Sequence, residues 1–536
     1  MLEGFVPWPA EEASRYRAAG LWRGQPLLDL LTPPLEVDPT QVAVIDGDRS
    51  WSRRELWDAV AIRASGYRAA GLRAGDRQVI QLPNSADFVV TFLACLWAGL
   101  VPVLALPGHR RAELRHIART AQARAICVSR IPGTDVDFRE LAVEVAQEAP
   151  SIDTIIEDGR WIGETDLDAA GEEAGVSPAY RPAGSDIALF LLSGGTTGLP
   201  KLIARSHDDY WYNIVESSRV SGLGPHSRYL VALPAGHNFP LGCPGLLGTL
   251  AAGGVVILSP SPSVKAVFPI AESARPNITA VVPAVAISWM EAEDRSALES
   301  LRVLQVGGAR MNPEVARQVS PRLGCTLQQV FGMAEGLLNY THLDDPEDVM
   351  VHTQGRKISS FDEVLIVDEQ GEPVATGEVG ELLTRGPYTI RGYFAASEQN
   401  AKSFTSDGFY RTGDLVRADP QGNLTVEGRA KDHINRGGEK ISAEEVENYS
   451  LAHPKIVNAA AIGVEDPTLG ARICLVVEVN DEISLDEVRA HFSECGVATF
   501  KFPEFLEVVD SLPLTNVGKV DKNELRVRYS TKEGIT

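Results

Sequence analysis

The 536-residue sequence has few cysteines, no excess of basic residues and no recognisable export segment. Its six cysteines lie far apart and form no CxxC pair. A chain of this length does not depend on disulfides, so we predict reduced thiols in a cytoplasmic protein. The formal net charge of −22 argues against a nucleic-acid partner, because binding to phosphates requires a basic surface. The first 20 residues show no basic stretch followed by an apolar core, so we expect no secretory signal.

One long apolar run, FVVTFLACLWAGLVPVLALP at residues 88–107, raises the alternative of a membrane span. Gly99 and Pro102 interrupt it, and the residues after Gly99 favour a β-strand. A buried helix followed by a buried parallel strand explains the run better. We therefore expect no membrane partner.

Short apolar runs alternate with amphipathic stretches over much of residues 40–310. RQVIQL, DIALFLLSG and GGVVILSP predict strands, whereas FRELAVEVAQEA predicts a helix. Continuous apolar strands separated by helices indicate parallel sheets covered on both faces. Residues 360–430 predict a small antiparallel sheet or barrel, and a short α+β pattern follows GRAKDHINRGGEK. We place a domain boundary near Lys431. The sequence contains no internal repeat, low-complexity tract or coiled-coil heptad.

A loop rich in glycine and threonine, SGGTTGLPK at residues 193–201, follows a predicted strand. Glycines allow backbone N–H groups to approach an anion, hydroxyls add donors, and Lys201 adds a positive charge. The loop is not a Walker A motif, since Pro200 and Leu202 stand where that motif needs Gly and Ser or Thr. Taken alone, it predicts either a phosphate site or a simple polar connection.

Six motifs together resemble the adenylate-forming superfamily of acyl-CoA synthetases, luciferases and nonribosomal peptide adenylation enzymes. The 193–201 loop resembles its phosphate loop. The others follow in the family's order as GGARM (307–311), FGMAEG (331–336), YRTGDL (410–415), GRAKDHINRGGEKISAEEVE (428–447) and NVGKVDK (516–522). The chain is thus identified as a member of that superfamily. The implied fold is α/β, with an N-terminal adenylation core of two doubly wound sheets plus a small β-barrel (1–430) and a mobile α+β C-terminal domain (432–536).

The resemblance implies ATP and Mg²⁺ as cofactors and assigns an ATP site. Gly307, Gly308 and Ala309 would lie against the adenine, Asp414 would accept both ribose hydroxyls, and Arg429 would contact the ribose and phosphate region. The full set of ATP or AMP residues implied by the motifs is Ser193, Gly194, Gly195, Thr196, Thr197, Gly198, Lys201, Gly307, Gly308, Ala309, Gly332, Met333, Ala334, Asp414 and Arg429.

The motifs also imply catalytic residues and a moving domain. Glu335 resembles the family's Mg²⁺-associated carboxylate; the alternative is a solvated glutamate at a helix end. Lys519 resembles the lysine that bridges the attacking carboxylate and the α-phosphate. Lys431, or a neighbouring position, would be the hinge, and Gly437, Gly438 and Lys440 would line a pantetheine tunnel after the domain rotates.

The segment 237–245, HNFPLGCPG, resembles the stand-alone aryl-acid AMP ligases of siderophore assembly, which activate salicylate or 2,3-dihydroxybenzoate. Asn238 would bond the acid's carboxylate and ortho-hydroxyl region, and Phe239 would pack on the ring. Enzymes for 2,3-dihydroxybenzoate carry Ser and Val where this chain has Cys243 and Leu338, so the resemblance favours salicylate. The close analogue 3-hydroxypicolinate is a further candidate. The implied aryl-acid residues are His237, Asn238, Phe239, Cys243, Gly308 and Leu338.

Cys243 admits three interpretations: a wall of the aryl pocket, a core residue or a nucleophile activated by His237. A nucleophile has no role here, because the acyl-adenylate is already activated and the acceptor brings its own thiol. A thiol forms only weak hydrogen bonds and packs like a small hydrophobic side chain. We therefore predict a pocket wall.

The chain ends soon after Lys519 without a carrier domain. We expect transfer in trans to an aryl carrier protein with a phosphopantetheine arm; the alternative acceptor is free coenzyme A. A non-catalytic relative that only binds nucleotide or aryl acid is an alternative of another class. The presence of Lys519, Glu335 and Asp414 argues against it.

Overall fold

Helices and strands alternate along most of the chain, as the sequence predicts. The computed structural model describes residues 2–131, 133–161, 166–176, 178–193, 200–429, 433–436, 439–466, 470–495, 499–515 and 518–529. The helices are α1 (Ala10–Ala18), α2 (Leu28–Leu31), α3 (Pro33–Val37), α4 (Arg53–Ala69), α5 (Ala86–Ala98), α6 (Arg111–Ala121), α7 (Phe138–Glu148), α8 (Leu167–Ala174), α9 (His207–Val220), α10 (Asn238–Gly242), α11 (Gly245–Ala251), α12 (Val264–Ala274), α13 (Pro283–Glu291), α14 (Pro313–Leu323), α15 (Glu347–His352), α16 (Ser397–Ser403), α17 (Ala443–Leu451), α18 (Leu485–Glu494) and α19 (Lys522–Tyr529).

Among the described residues, four sheets are built from the following strands. They are β1 (Val42–Asp46), β2 (Arg49–Ser52), β3 (Arg77–Gln81), β4 (Val101–Leu104), β5 (Ala125–Val128), β6 (Thr154–Glu157), β7 (Arg160–Trp161), β8 (Ile187–Leu192), β9 (Leu202–Ser206), β10 (Arg228–Val231), β11 (Val255–Leu258), β12 (Ile278–Val281), β13 (Val303–Gly307), β14 (Thr326–Met333), β15 (Gly336–Tyr340), β16 (Arg356–Lys357), β17 (Glu363–Val367), β18 (Gly380–Arg385), β19 (Tyr410–Ala418), β20 (Leu424–Arg429), β21 (His433–Arg436), β22 (Glu439–Ser442), β23 (Ile456–Asp466), β24 (Gly470–Val479) and β25 (Phe505–Val508).

The nine-stranded sheet has the order β16-β15-β14-β13-β12-β10-β11-β1-β2. Strands β14 to β1 in that order are parallel, and antiparallel strands complete both edges. Successive side chains of a strand point to opposite faces. Leu230 accordingly packs with α12 and α14 on one face, whereas Tyr229 and Val231 enter the core cluster on the other. Burial on both faces explains the continuous apolar runs in the sequence.

The seven-stranded sheet has the order β7-β6-β5-β3-β4-β8-β9 and shares that second core cluster. Helices α4, α5 and α9 lie between the two sheets, while α6 and α7 cover the outer face of the seven-stranded one. The apolar run at 88–107 forms most of α5 and then β4, which pairs in parallel with β3. This confirms the predicted buried helix and strand. Within the described ranges no helix is both long and apolar enough to cross a membrane.

Strands β17 to β20, within residues 363–429, form an antiparallel sheet with the order β17-β18-β19-β20. The described strand pairs run from first to last without joining the two ends, so the unit is an open sheet instead of the expected barrel. Four strands are too few to close around a packed interior. The C-terminal sheet, β22-β21-β24-β23 with β25 beside β24, carries α17 and α18 on one face and α19 on the other. The predicted α/β class, with a large N-terminal part and a small C-terminal α+β domain, is confirmed.

Candidate active site

The carboxyl ends of the parallel strands in the nine-stranded sheet meet at one edge, where the residues predicted to bind the aryl acid and the GGARM and FGMAEG segments lie. Strand β10 is followed by residues 237–243, β13 ends at Gly307, and β14 leads into the turn at 334–335. Open parallel sheets bind ligands at this edge. The topology thus brings together segments that are up to about a hundred residues apart in sequence.

Asn238 begins the short helix α10 and is 6 % exposed. The hydroxyl of Tyr210, from α9, donates to its Oδ1 at 2.9 Å. This contact fixes the orientation of the carboxamide, since the oxygen is the acceptor. The Nδ2 group is then the end that can donate to a bound anion or hydroxyl.

The Phe239 ring lies against the end of β13. A Cβ placed on Gly307 would stand 2.9 Å from Phe239 Cε1 and 2.8 Å from the carbonyl oxygen of Val330. Only a glycine allows the ring to approach this closely without displacing backbone. Gly307, which the motifs assign to the adenine site, therefore also lies against Phe239, a residue predicted to pack on the aryl ring.

Cys243 is 1 % exposed and is held from two sides. The Asn213 amide donates to the Gly242 carbonyl oxygen at 2.7 Å and lies 3.8 Å from Cys243 Sγ. The Tyr340 hydroxyl donates to the Cys243 carbonyl oxygen at 2.7 Å. Burial raises the pKa of the Cys243 thiol to about 12. Because a nucleophile must be a thiolate, this environment disfavours the catalytic interpretation.

Leu338 lies on β15, two residues before Tyr340 and on the same face of the strand. It is 2 % exposed and packs closely on Gly332 of β14, where an added Cβ would stand 2.4 Å from Leu338 Cδ2. Leu338 and Cys243 belong to one core cluster, and Met333 and Ala334 pack against it. The two residues proposed to select the ring therefore belong to the same apolar core cluster.

His237 and Lys519 lie close enough to interact electrostatically. Burial, and to a smaller extent the nearby Lys519 ammonium, lower the pKa of His237 to about 4. The imidazole is thus neutral at pH 7. Its Nδ1 accepts the Phe239 N–H at 3.3 Å, which leaves the ring proton on Nε2. Lys519 Cε would lie 3.2 Å from a Cβ on Gly308, a glycine with φ +84°, so the lysine stem rests on the GGARM segment. Ala309, the next residue, is exposed.

Glu335 lies in the turn between β14 and β15 and is 7 % exposed. The Tyr393 hydroxyl donates to its Oε1 at 2.7 Å, and Lys201 Nζ stands 5.3 Å from the centre of the Tyr393 ring. Burial and the Glu335 charge raise the pKa of Tyr393, so its hydroxyl keeps the proton that it donates. The phosphate-loop lysine and the predicted metal carboxylate are thereby brought to the same tyrosine.

These donors fit a magnesium ion carried by the nucleotide. Among the described residues no group of three or more histidine, cysteine or acidic side chains could hold a metal. Mg²⁺ is usually bound by one or two carboxylates together with substrate phosphates. Glu335, a nearly buried carboxylate close to Lys201, is compatible with that arrangement.

The predicted ribose residues lie on the four-stranded sheet. Asp414 of β19 is 5 % exposed, its N–H donates to Thr412 Oγ1 at 3.0 Å, and it pairs across the strands with Arg429. At the phosphate loop, Ser193 and Lys201 bond to each other through two contacts of 3.0 Å. Several predicted residues lie outside the described ones, namely Gly194, Gly195, Thr196, Thr197, Gly198, Lys431, Gly437 and Gly438. The structure describes the strands of Arg429 and Lys440 but not their side chains.

Other contacts also join the large N-terminal part to the C-terminal domain, which carries Lys519 beside Gly308. Arg310 Nη1 donates to the Val426 carbonyl oxygen at 2.8 Å and lies 3.6 Å from Glu444 of α17. The Asn312 amide donates to Asn448 at 3.3 Å. Burial raises the pKa of Glu444 to about 7, while the Arg310 charge opposes the increase. These contacts seat α17 beside the GGARM segment.

The structure adds supporting residues that the motifs did not identify. Arg205, fully buried at the end of β9, pairs with Asp209 at 2.6 Å and donates to the carbonyl oxygens of Ala334 at 3.0 Å and Tyr388 at 3.2 Å. Tyr210 and Asn213 follow on α9. A signal was present in the sequence, since polar residues recur every fourth position at Arg205, Asp209, Asn213 and Ser217. All four side chains are buried.

Comparison with known proteins gives this site a family. The model for AMP-binding enzymes matches residues 34–394, and that for the AMP-binding enzyme C-terminal domain matches residues 445–519. A salicylyl-CoA synthase / salicylate adenylyltransferase from Streptomyces sp is 53 % identical over 98 % of this chain and 97 % of its own length. A 2,3-dihydroxybenzoate-AMP ligase from Bacillus subtilis is 47 % identical over 99 % of both chains.

Two mycobacterial proteins extend the likeness. A salicyl-AMP ligase / salicyl-S-ArCP synthetase from Mycobacterium tuberculosis is 44 % identical over 98 % of this chain and 94 % of its own. The apo structure of MbtA from Mycobacterium smegmatis superposes with a TM-score of 0.76 at 45 % identity, covering 98 % of this chain and 99 % of that one. The superfamily predicted from the six motifs is confirmed: the chain belongs to the AMP-binding enzymes and is an adenylate-forming ligase.

Proposed function

We propose that this enzyme activates salicylate with ATP and passes the salicyl group to a thiol. The observation that carries the proposal is the buried wall of Asn238, Phe239, Cys243 and Leu338, which offers one polar edge and otherwise apolar surface. A ring with a carboxylate and one ortho-hydroxyl matches that division. A 3-hydroxyl would meet a thiol and a leucine, which are poor hydrogen-bonding partners. The named relatives include both salicylate and 2,3-dihydroxybenzoate enzymes, so the pocket residues carry the choice between them.

In the first half-reaction a salicylate oxygen attacks the α-phosphorus of ATP, and pyrophosphate leaves. Asn238 Nδ2 donates to the carboxylate and hydroxyl edge, and the Nε2–H of neutral His237 provides a second donor at the pocket mouth. The Lys519 ammonium offsets the repulsion between the two anions. Asp414 and Arg429 are proposed to hold the ribose, and the residues of the 193–201 loop are proposed to hold the phosphates.

A bound Mg²⁺ would add positive charge at the phosphates and would be held through Glu335. Tyr393 orients that carboxylate by donating to Oε1. The Lys201 ammonium, 5.3 Å from the centre of the Tyr393 ring, adds positive charge near this carboxylate. These residues position and neutralise charge without transferring a proton.

In the second half-reaction a thiolate attacks the carbonyl carbon of salicyl-AMP, a thioester forms and AMP leaves. We propose an aryl carrier protein as the acceptor, because the name of the M. tuberculosis relative includes a salicyl-S-ArCP synthetase. Coenzyme A is the second candidate, because the name of the Streptomyces relative includes a CoA synthase. A rotation near Lys431 that admits the pantetheine arm past residues 437–440 belongs to this proposal, as does a cytoplasmic location, which free cysteines favour.

Exchange of labelled pyrophosphate into ATP tests the first half-reaction. We expect salicylate to give a higher kcat/KM than 2,3-dihydroxybenzoate or 3-hydroxypicolinate; the reverse order would refute the substrate assignment. Single-turnover transfer from preformed salicyl-AMP then compares a holo aryl carrier protein with coenzyme A. Faster transfer to coenzyme A would replace the carrier assignment and leave the adenylation step intact.

A further inference from the structure

The backbone N–H of Leu338 donates to the hydroxyl of Tyr388 at 3.1 Å. The two preceding residues have positive φ values, +150° at Gly336 and +21° at Leu337. A non-glycine residue such as Leu337 rarely adopts this backbone conformation, which persists only where surrounding contacts hold it. The wall residue Leu338 is therefore positioned by a tyrosine hydroxyl from outside its own sheet.

Tyr388 is itself fixed at both ends and is fully buried. Its hydroxyl donates to Asp362 Oδ2 at 2.6 Å, and its carbonyl oxygen accepts from Arg205 Nη2 at 3.2 Å. Asp362 is 1 % exposed, and its other oxygen, Oδ1, is buried with no hydrogen-bond partner among the described residues. Burial raises the pKa of this carboxyl to about 7. A buried acidic group held at such a cost is consistent with a role in positioning.

The same arginine also supports the part of the wall around Cys243. Arg205 Nη2 lies 3.4 Å from Asn213 Oδ1, and the Asn213 amide supports Gly242 and Cys243. Its guanidinium also stands 4.8 Å from the centre of the Tyr210 ring, whose hydroxyl orients Asn238. One buried side chain, Arg205, thus contacts the residues that support Leu338, Cys243 and Asn238.

We infer that Tyr388 is a positioning residue for selectivity at ring position 3, since its hydroxyl fixes the backbone of Leu338 and so the space beside the ring. The inference rests on the proposed activation of an aryl acid. Loss of the hydroxyl would free the Leu338 N–H and relax the wall. The relaxed wall would admit a 3-hydroxyl more readily and would leave ATP binding unchanged.

The test compares Tyr388→Phe with a matched control, Tyr212→Phe. Tyr212 is buried with its ring centre 6.0 Å from that of Tyr388, and its hydroxyl bonds Ser359 Oγ at 2.8 Å. Each substitution removes one buried hydroxyl. We expect the ratio of kcat/KM for salicylate to that for 2,3-dihydroxybenzoate to fall about threefold to tenfold in Tyr388→Phe, as for one lost hydrogen bond. The ratio should not change in Tyr212→Phe, and KM for ATP should not change in either.

A double-mutant cycle tests whether Tyr388 acts through Leu338. Leu338→Val directly enlarges the space beside the ring. Tyr388→Phe should therefore change the ratio of the two kcat/KM values less in that background than in the wild type. Should Tyr388→Phe fail to fold by thermal unfolding, Asp362→Ala replaces it, with Asp362→Asn as the variant that keeps an acceptor and the wild-type ratio. An unchanged ratio in Tyr388→Phe, or full additivity with Leu338→Val, overturns the inference. A wild-type enzyme that exchanges pyrophosphate with neither acid overturns the proposed function as well, and so separates the two failures.

Discussion

Replacing Cys243 by serine is the sharpest perturbation of the proposed substrate choice. The side chain is 1 % exposed and lies 3.8 Å from the Asn213 amide. A serine hydroxyl at this position can accept from that amide, and its own proton then faces the ring. The change adds one hydrogen-bonding group and almost no volume.

The size of the expected change in substrate preference depends on which group the serine hydroxyl proton meets. With salicylate bound, the serine proton would be buried opposite a C–H group, which costs about 1–2 kcal/mol. With 2,3-dihydroxybenzoate bound, the 3-hydroxyl accepts it and the cost disappears. The ratio of kcat/KM for salicylate to that for 2,3-dihydroxybenzoate should therefore fall by roughly 5- to 30-fold.

Pyrophosphate exchange with both acids measures this ratio, and Cys325→Ser is the matched control. Cys325 is also buried but packs in the core on the opposite face of the nine-stranded sheet, so its ratio should equal that of the wild type. An unchanged ratio in Cys243→Ser would remove Cys243 from the selectivity argument. Loss of exchange with both acids, in a folded variant, would instead support a catalytic thiol.

Three further substitutions test other parts of the site and the fold. Lys519→Ala should slow pyrophosphate exchange at least about 100-fold, because one preorganised charge is lost, while transfer from preformed aryl-AMP stays near the wild-type rate; equal losses in both assays would contradict the bridging role. Gly307→Ala should raise KM for the aryl acid about tenfold or more, since its Cβ would stand 2.9 Å from the Phe239 ring, and an unchanged KM would refute that contact. Burial lowers the pKa of His207 to about 4, so the unfolded state takes up the proton first as pH falls below 6.5. Wild type should thus lose about 3 kcal/mol of unfolding free energy relative to His207→Gln between pH 6.5 and 4, measured by urea unfolding, and parallel pH profiles would contradict this.

Much of the fold was predictable because burial leaves a clear pattern in sequence. Strands covered on both faces must be apolar throughout, which identified β8 and β11 and separated α5 from a membrane span. The turns within 360–430 predicted an antiparallel sheet or barrel, and the family resemblance implied a barrel. Strand pairing is a tertiary property, so the pattern did not decide between the two forms, and the structure shows an open sheet.

The supports of the site were less predictable. On α9, polar residues at every fourth position ordinarily indicate a solvent-exposed face. Here both residues can be buried because Asp209 forms an ion pair with Arg205 and the Asn213 amide donates to the backbone carbonyl of residue 242. Tyr388 lies about 180 residues from Arg205, and only the folded chain brings them together. Single-sequence patterns locate the groups that bind substrate more readily than the groups that hold them.

The distribution of thiols makes one position of this enzyme chemically addressable. Five of the six cysteines are buried, and Cys495, directly after α18 in the C-terminal domain, is exposed. A maleimide fluorophore under native conditions should therefore label a single site without prior removal of the others. That site lies on the domain proposed to rotate, so the emission of the dye can follow the two half-reactions in real time in the native sequence.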